Sequence, residues 1–249
     1  MAGHSKWANI QHRKGRVDSQ RARVWSKLSK AIIVAAQMGG GDPDANIRLR
    51  KAVDDAKAVS MPKDNINRAI KRGTGELGGG PVEELLYEGY GPAGVAVLCE
   101  IMTDNRNRTA PEMRSLFSKF GGNLGSTGCV SYLFERKGLF LFDAGQSNEE
   151  KITEIALENG GEDVEMTDDG KLQVTCDPDN FQQLLDAFQG ESLEMEVSEV
   201  TRIAQTTVDV EPGDAKQALR LLEALDDHDD VQNVSTNLNI TDDVLNDEE

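Results

Sequence analysis

The sequence predicts an α+β protein: an N-terminal three-helix bundle followed by two ferredoxin-like α/β domains, one inserted in the other. Three observations carry that expectation. Apolar residues recur at helical spacing as far as residue 72. A glycine-rich stretch, Gly73 to Pro81, follows. Beyond it strand patterns alternate with helix patterns, once in the order β-α-β-β-α-β of the split βαβ sandwich. The expected domains are residues 1–80, basic and helical; residues 81–135 plus 206–249, discontinuous; and residues 136–205, inserted.

In chain order, Asp18 is placed to cap a helix running to about Met38, ended by the glycines at 39–41. Val24, Trp25, Leu28, Ile32, Ala35 and Ala36 form its apolar stripe, and Arg23, Lys27 and Lys30 lie opposite. Asp42-Pro43 predicts a second helix with Leu49, Val53 and Ala56 inside, broken by Met61-Pro62. Asp64 predicts the cap of a third, with Ile66, Ala69 and Ile70 inside. The glycine-rich linker then leaves the bundle able to swing.

Gly94 to Thr103 reads as a buried strand. Thr109 to Glu112 reads as a capping box before a helix that buries Met113, Leu116, Phe117 and Phe120. Strands are expected at Val130–Glu135 and Leu139–Asp143, then a second capping box at Ser147–Glu150 before Ile152, Ile155 and Ala156. The turn Asp168-Asp169-Gly170 separates two strands, and in the second Leu172, Val174 and Cys176 alternate with polar residues. Asp177-Pro178 opens a helix with Phe181, Leu184, Leu185 and Phe188 inward, and a strand over Leu193–Val200 closes the unit. A strand at Thr206–Val210, a helix carrying Ala215, Ala218, Leu219, Leu222 and Leu225, and a strand at Val231–Thr236 return to complete the first sheet. The tail TDDVLNDEE is expected to fray.

Composition narrows the function. The longest apolar run, Ala31 to Ala36, is far short of the ~18 residues of a membrane helix. The basic start MAGHSKWANIQHRKG lacks the apolar core of a secretory signal. Cys99, Cys129 and Cys176 are too few and scattered for a disulfide framework or a CxxC metal site, so a soluble, reducing compartment is expected. The 249 residues carry a net charge of −17, yet residues 1–72 hold sixteen Lys/Arg against six Asp/Glu, a net of +10. The rest carries −27. Such a division suggests a nucleic-acid-binding part on an acidic body.

The search for chemistry is poor in candidates. His4 and His12 lie in the basic N-terminal segment and His228 in the run Asp226-Asp227-His228-Asp229-Asp230. None sits in a nucleophile–imidazole arrangement. That run reads as a divalent-cation site or as a solvated loop. Asp42-x-Asp44-x-Asn46 begins like a calcium loop but has Ile47 where glycine is needed and Val53 where glutamate is needed. There is no phosphate-loop motif, and GGNLGSTG at 121–128 follows a helix instead of opening one, which reads as a helix end and turn. The sequence therefore predicts no enzyme, no cofactor, no metal and no small-molecule substrate.

Binding candidates are stronger. Lys6, Arg13, Lys14, Arg16, Arg21 and Arg23, with Trp7 and His12 interleaved, form a cationic arm extended by Lys27 and Lys30. Cations neutralise phosphates and an aromatic face stacks on an unpaired base, so Trp7 reads either as a stacking residue or as an apolar anchor. Arg68, Lys71 and Arg72 extend the basic surface. Arg106 and Arg108 flank a helix start, which reads as an anion site or as a salt-bridged turn.

Four stretches together, MAGHSKWANIQHRKGR, MPKDNINRAIKRGTGE, YEGYGPAGVA and TDNRNRT with FSKFGGNLG after it, resemble the YebC/PmpR family nearly over the full length. The resemblance implies a helical N-terminal domain with two α/β domains, a cytoplasmic bacterial protein, and no chemical site. It implies a probable DNA-binding transcriptional regulator. Relatives also act in translation, as a mitochondrial activator and as ribosome-associated factors that relieve stalling on proline-rich stretches. The expectation is a non-enzymatic nucleic-acid-binding regulator of gene expression. Its alternatives are an RNA- or ribosome-bound translation factor and a protein–protein adaptor, with no membrane partner. Reversing Arg13, Lys14 and Arg16 to Glu is expected to abolish binding and spare the fold.

Overall fold

The structure, a computed structural model, describes residues 6–8, 10, 21–143, 145, 148–167 and 170–240. Three helices form a head: α1 (Arg21–Gly39), α2 (Ile47–Ala58) and α3 (Lys63–Gly73). Ile32, Leu49, Val53, Ala56, Ile66 and Ala69 meet in its core, as their spacing requires. Asp18 lies outside the described residues.

The second helix does not start at Asp42-Pro43. Asn46 is its cap: the side chain accepts from the Leu49 amide and also donates to the carbonyls of Ala35 and Gly40, tying α2 to the end of α1. Gly39 passes so close to Asn46 that a Cβ would sit 2.6 Å from its amide nitrogen. The third helix takes Pro62 as cap with no side-chain bond, and Asp64 sits in its first turn, where a negative charge suits the helix dipole.

The body has two four-stranded antiparallel sheets. In the first the order is β3-β1-β2-β8, from β1 (Glu83–Tyr90), β2 (Ala96–Thr103), β3 (Asn123–Leu124) and β8 (Val231–Thr236). Helices α4 (Arg106–Lys119) and α7 (Pro212–Asp226) cover it, burying Met113, Phe117, Leu222 and Leu225. The second has the order β5-β6-β4-β7, from β4 (Phe134–Asp143), β5 (Gly161–Met166), β6 (Lys171–Cys176) and β7 (Val197–Ala204). Helices α5 (Glu149–Glu158) and α6 (Phe181–Gly190) cover it, and Phe140, Phe142, Phe181 and Phe188 pack ring on ring.

Several expected elements differ. Strand β1 was hidden in the sequence by its glutamates, and it supplies the first sheet with the strand sought at Val130–Glu135. That stretch is a 3-10 turn (Ser131–Leu133) leading into a single strand, β4, which absorbs the Leu139–Asp143 segment. Helix α4 begins before the Thr109–Glu112 box because Asn105 already caps it through the Arg108 amide. Asn148 caps α5; Ser147, Asp168 and Asp169 lie outside the described residues, as does the tail 241–249. Leu193 and Met195 are spent on the aromatic core, so the last strand of that sheet starts at Val197. The strand expected at Thr206–Val210 is one parallel bridge, Val208 to Leu238.

The head is docked, which corrects the freely swinging bundle. Val82 and Met102 join its core, Arg48 pairs with Glu84, and Arg72 pairs with Asp104 at 3.0 Å. The linker itself turns back, the amides of Glu76 and Leu77 donating to the Lys71 carbonyl.

Candidate nucleic-acid interface

The cationic residues divide into three groups. The first is the expected arm, of which the structure describes Lys6, Trp7 and Arg21. Lys6, Trp7 and Ala8 are buried, and the Trp7 indole N–H donates to the Val234 carbonyl of β8 at 2.8 Å, inside the core under the first sheet. The Trp7 ring is 1% exposed, so it is an anchor here and offers no face to a base. His12, Arg13, Lys14 and Arg16 lie outside the described residues. Arg21, the first residue of α1, places its guanidinium 5.9 Å from the Trp25 ring.

The second group is neutralised. Arg23, Lys27 and Lys30 share one face of α1, and that face meets the end of α7 and the loop before β8. Arg23 pairs with Asp227 at 3.0 Å. Lys27 Nζ reaches the Asp226 carbonyl at 2.7 Å and its carboxylate at 3.1 Å. Lys30 Nζ reaches the Asp229 carbonyl at 2.8 Å and the Asp230 carboxylate. Arg106 stands 3.7 Å from Glu83, and Arg108 sits on Asp230 at 2.8 Å. Arg23, Lys27, Lys30, Arg72, Arg106 and Arg108 thus each face a carboxylate of the body, a pairing that the charge count along the chain does not show. Of the two readings of the Arg106–Arg108 turn, the salt-bridged one describes the structure.

The third group is open. Arg68 and Lys71, one turn apart, stand exposed on α3 beside Asn67. Among the described residues no carboxylate lies within ion-pair distance of either. The four residues 59–62 join α2 to α3, the connection length of a helix-turn-helix pair.

Two buried acids are held by dense donor sets: Asp230, which the sequence offered only as part of an acidic run, and Glu88, which it did not offer. Asp230 is 1% exposed and takes donors from Lys30 of the head and from Arg108, Thr103 and Thr109 of the body. Burial alone would raise its pKa, but those donors outweigh it and hold the carboxyl well below the usual range. The run 226–230 is therefore no solvated loop. Glu88 is the other. It is buried on β1 and accepts from the amides of Gly128, Val130 and Ser131, so the glycine-rich 121–128 segment does lead into an anion cradle, filled by the chain's own side chain. Burial pushes this carboxyl up and the three amides more than reverse it. The only sequence signal for either was an acid abutting strongly apolar strand positions.

Metal and nucleophile chemistry find little support. Glu112, His228 and Asp230 bring ligand atoms within 4.8 Å of one another. Asp230 is already saturated by donors, and the Arg108 guanidinium bonds the same carboxylate and lies 4.0 Å from Glu112, supplying the positive charge a cation would bring. His228 Nδ1 accepts the Asp230 amide, which leaves the proton on Nε2, facing Glu112 at 3.0 Å. Burial pushes the Cys176 thiol up to about 11 and raises Cys99 and Cys129 as well, the opposite of activation. Among the described residues no helix is long and apolar enough to cross a membrane.

Residues 5–76 match the family description "TACO1/YebC protein N-terminal domain" and residues 82–238 match "TACO1/YebC second and third domain". A protein of Rhodopirellula baltica named probable transcriptional regulatory protein RB5500 is 71% identical over 239 residues, covering 96% of this chain and 97% of that one. A probable transcriptional regulatory protein of Natranaerobius thermophilus is 52% identical, covering 98% and 99%. The crystal structure of the conserved hypothetical protein Aq1575 from Aquifex aeolicus superposes with a TM-score of 0.82 at 43% identity, covering 91% of this chain and 93% of that one. The relatives are named as regulators, not as enzymes.

Proposed function

The chain belongs to the TACO1/YebC family, and from that premise we propose that it is a non-enzymatic regulator of gene expression that grips nucleic acid by its phosphates through the helical head. One observation carries the reading: on α3, Arg68 and Lys71 remain exposed and, among the described residues, without carboxylate partners, in a chain whose net charge is −17. In so acidic a molecule, cations left unpaired on one helix face are the natural contact for a polyanion. The regulator names of its relatives point the same way. Arg13, Lys14 and Arg16, which lie outside the described residues, are proposed as further phosphate contacts on the strength of their charge.

DNA is the first target. The α2–α3 pair has a helix-turn-helix connection length, and Asn67 and Arg68 are residue types that pair with adenine and guanine edges. RNA, bound on the ribosome in a translation role, is the second reading. The paired face of α1 favours it, since that leaves only the eleven-residue α3 to enter a groove, and RNA contact needs shape and phosphates alone.

The test is anisotropy of a labelled DNA duplex and a labelled single-stranded RNA with the full chain, wild type and Arg68→Glu/Lys71→Glu. Losing two phosphate contacts and adding repulsion is expected to weaken binding at least about tenfold. The polymer that binds more tightly at matched salt decides between the readings, and unchanged affinity for both polymers refutes the role of α3.

A further inference from the structure

The head meets the body through two unlike contacts. At one, Val82 and Met102 pack dry into the bundle core next to the linker. At the other, along α1, the contact is polar. A cleft of about 800 Å³ opens there, lined by Arg23, Ser26 and Lys30 on the head and by Ser115, Asp227 and Asp229 among others on the body; Leu116 is its one apolar lining residue. The Arg23 and Asp227 side chains remain 48% and 42% exposed even though paired, whereas Lys27 and Asp226 are 19% exposed each and Lys30 and Asp230 are 16% and 1% exposed. Exposed ion pairs are weak and yield to competing ions, whereas a packed apolar contact does not. Along this edge Arg23–Asp227 is therefore the outer, displaceable pair, and Lys30–Asp230 the enclosed one.

What faces α1 across that edge is a string of oxygens, the carboxylates of Asp226, Asp227 and Asp230 and the backbone carbonyls of Asp226 and Asp229. Arg23, Lys27 and Lys30, spaced four and three residues apart on one helix face, each receive an oxygen ligand from Asp226 to Asp230. Carboxylates and phosphodiester oxygens satisfy the same Lys and Arg donors. We infer that Asp226 and Asp227 are a built-in competitor that occupies a second nucleic-acid-binding face, around Arg23 and Lys27 on α1, and that a phosphodiester backbone gains this face only by displacing them, while Asp230 keeps its buried donors. The inference rests on the nucleic-acid reading above and adds to it a second face and a threshold. Phosphates held first on α3 stand on the same rigid bundle as the covered face, so a strand long enough to span both competes for it as an intramolecular partner. A short or singly charged anion does not.

The experiment neutralises the competitor and leaves the buried Asp230 in place. Asp226→Asn/Asp227→Asn is compared with wild type and with Glu149→Gln/Glu150→Gln, which removes the same charge at the exposed start of α5. Each full chain is titrated with the labelled RNA and the labelled duplex over a salt series, with a thermal melt to verify folding. The Asp226/Asp227 variant is expected to bind about tenfold more tightly, because a larger fraction of molecules presents the face. Its log–log salt slope is expected to steepen by about 2 from the added phosphate contacts. The Glu149/Glu150 control is expected to match wild type. An Asp226/Asp227 variant no tighter than that control overturns the competitor while the α3 reading stands on its own variants. A wild-type chain that binds neither polymer overturns both.

Discussion

Helices α1 and α3 belong to one bundle and both carry cations a turn apart, yet their polar faces end differently. On α1, Arg23, Lys27 and Lys30 are matched by the acidic segment before β8; on α3, Arg68 and Lys71 face solvent. Counting charges along the chain treats the two as one basic surface. The fold separates them, because availability is set by what stands opposite, and Lys27 meets its partner 199 positions along the chain. A basic segment in an acidic protein is thus partly a docking surface for its own body and partly a surface for something else.

The variant that most strongly attacks the difference is Asp230→Ala. It strands Lys30 and Arg108 beside a buried gap, and breaking such a pair is expected to cost about 3–5 kcal/mol in a denaturant titration. Equal stability to wild type removes Asp230 from its place as the joint between head and body. Trp7→Phe comes next. It keeps the apolar bulk and loses the bond to Val234, at an expected cost of about 2 kcal/mol. A neutral effect returns Trp7 to the surface and the N-terminal segment to a binding role.

Acid sharpens the comparison without a mutation. Asp230 and Glu88 both have folded pKa values below their unfolded ones, so their contribution is fully present above about pH 4.5 and is lost as pH falls through the folded values. The melting temperature is expected to fall on acidification below that point, and Glu88→Gln is expected to flatten the fall. The same acid slope in Glu88→Gln and wild type refutes the part given to Glu88. The smallest stability change is expected for Arg68→Ala/Lys71→Ala, within about 0.5 kcal/mol of wild type, since both side chains are exposed and, among the described residues, face no carboxylate.

Much of the architecture was legible from spacing. Leu49, Val53 and Ala56, Met113 and Phe117, and Phe181, Leu184 and Phe188 lie buried where helical periodicity puts them. The split βαβ order of the second sheet follows from its turns and caps. Strand β1 was not legible because Glu83, Glu84 and Glu88 spoil its pattern, and Glu88 tolerates burial only because a loop forty residues on supplies three amides. Helix starts were misplaced where an asparagine, Asn46, Asn105 or Asn148, caps in place of the residue expected. At the candidate interface the residue types were visible and their partners were not. Asp226, Asp227 and Asp230 read as a solvated run until the head is laid against them.

The difference between the two faces comes down to the salt dependence of nucleic-acid binding by matched double variants of the full chain. For a DNA duplex, Arg68→Ala/Lys71→Ala is expected to flatten the log–log slope by about 1.8, and Arg23→Ala/Lys27→Ala to leave it near the wild-type value. A flattened slope in the α1 variant with none in the α3 variant would contradict the account.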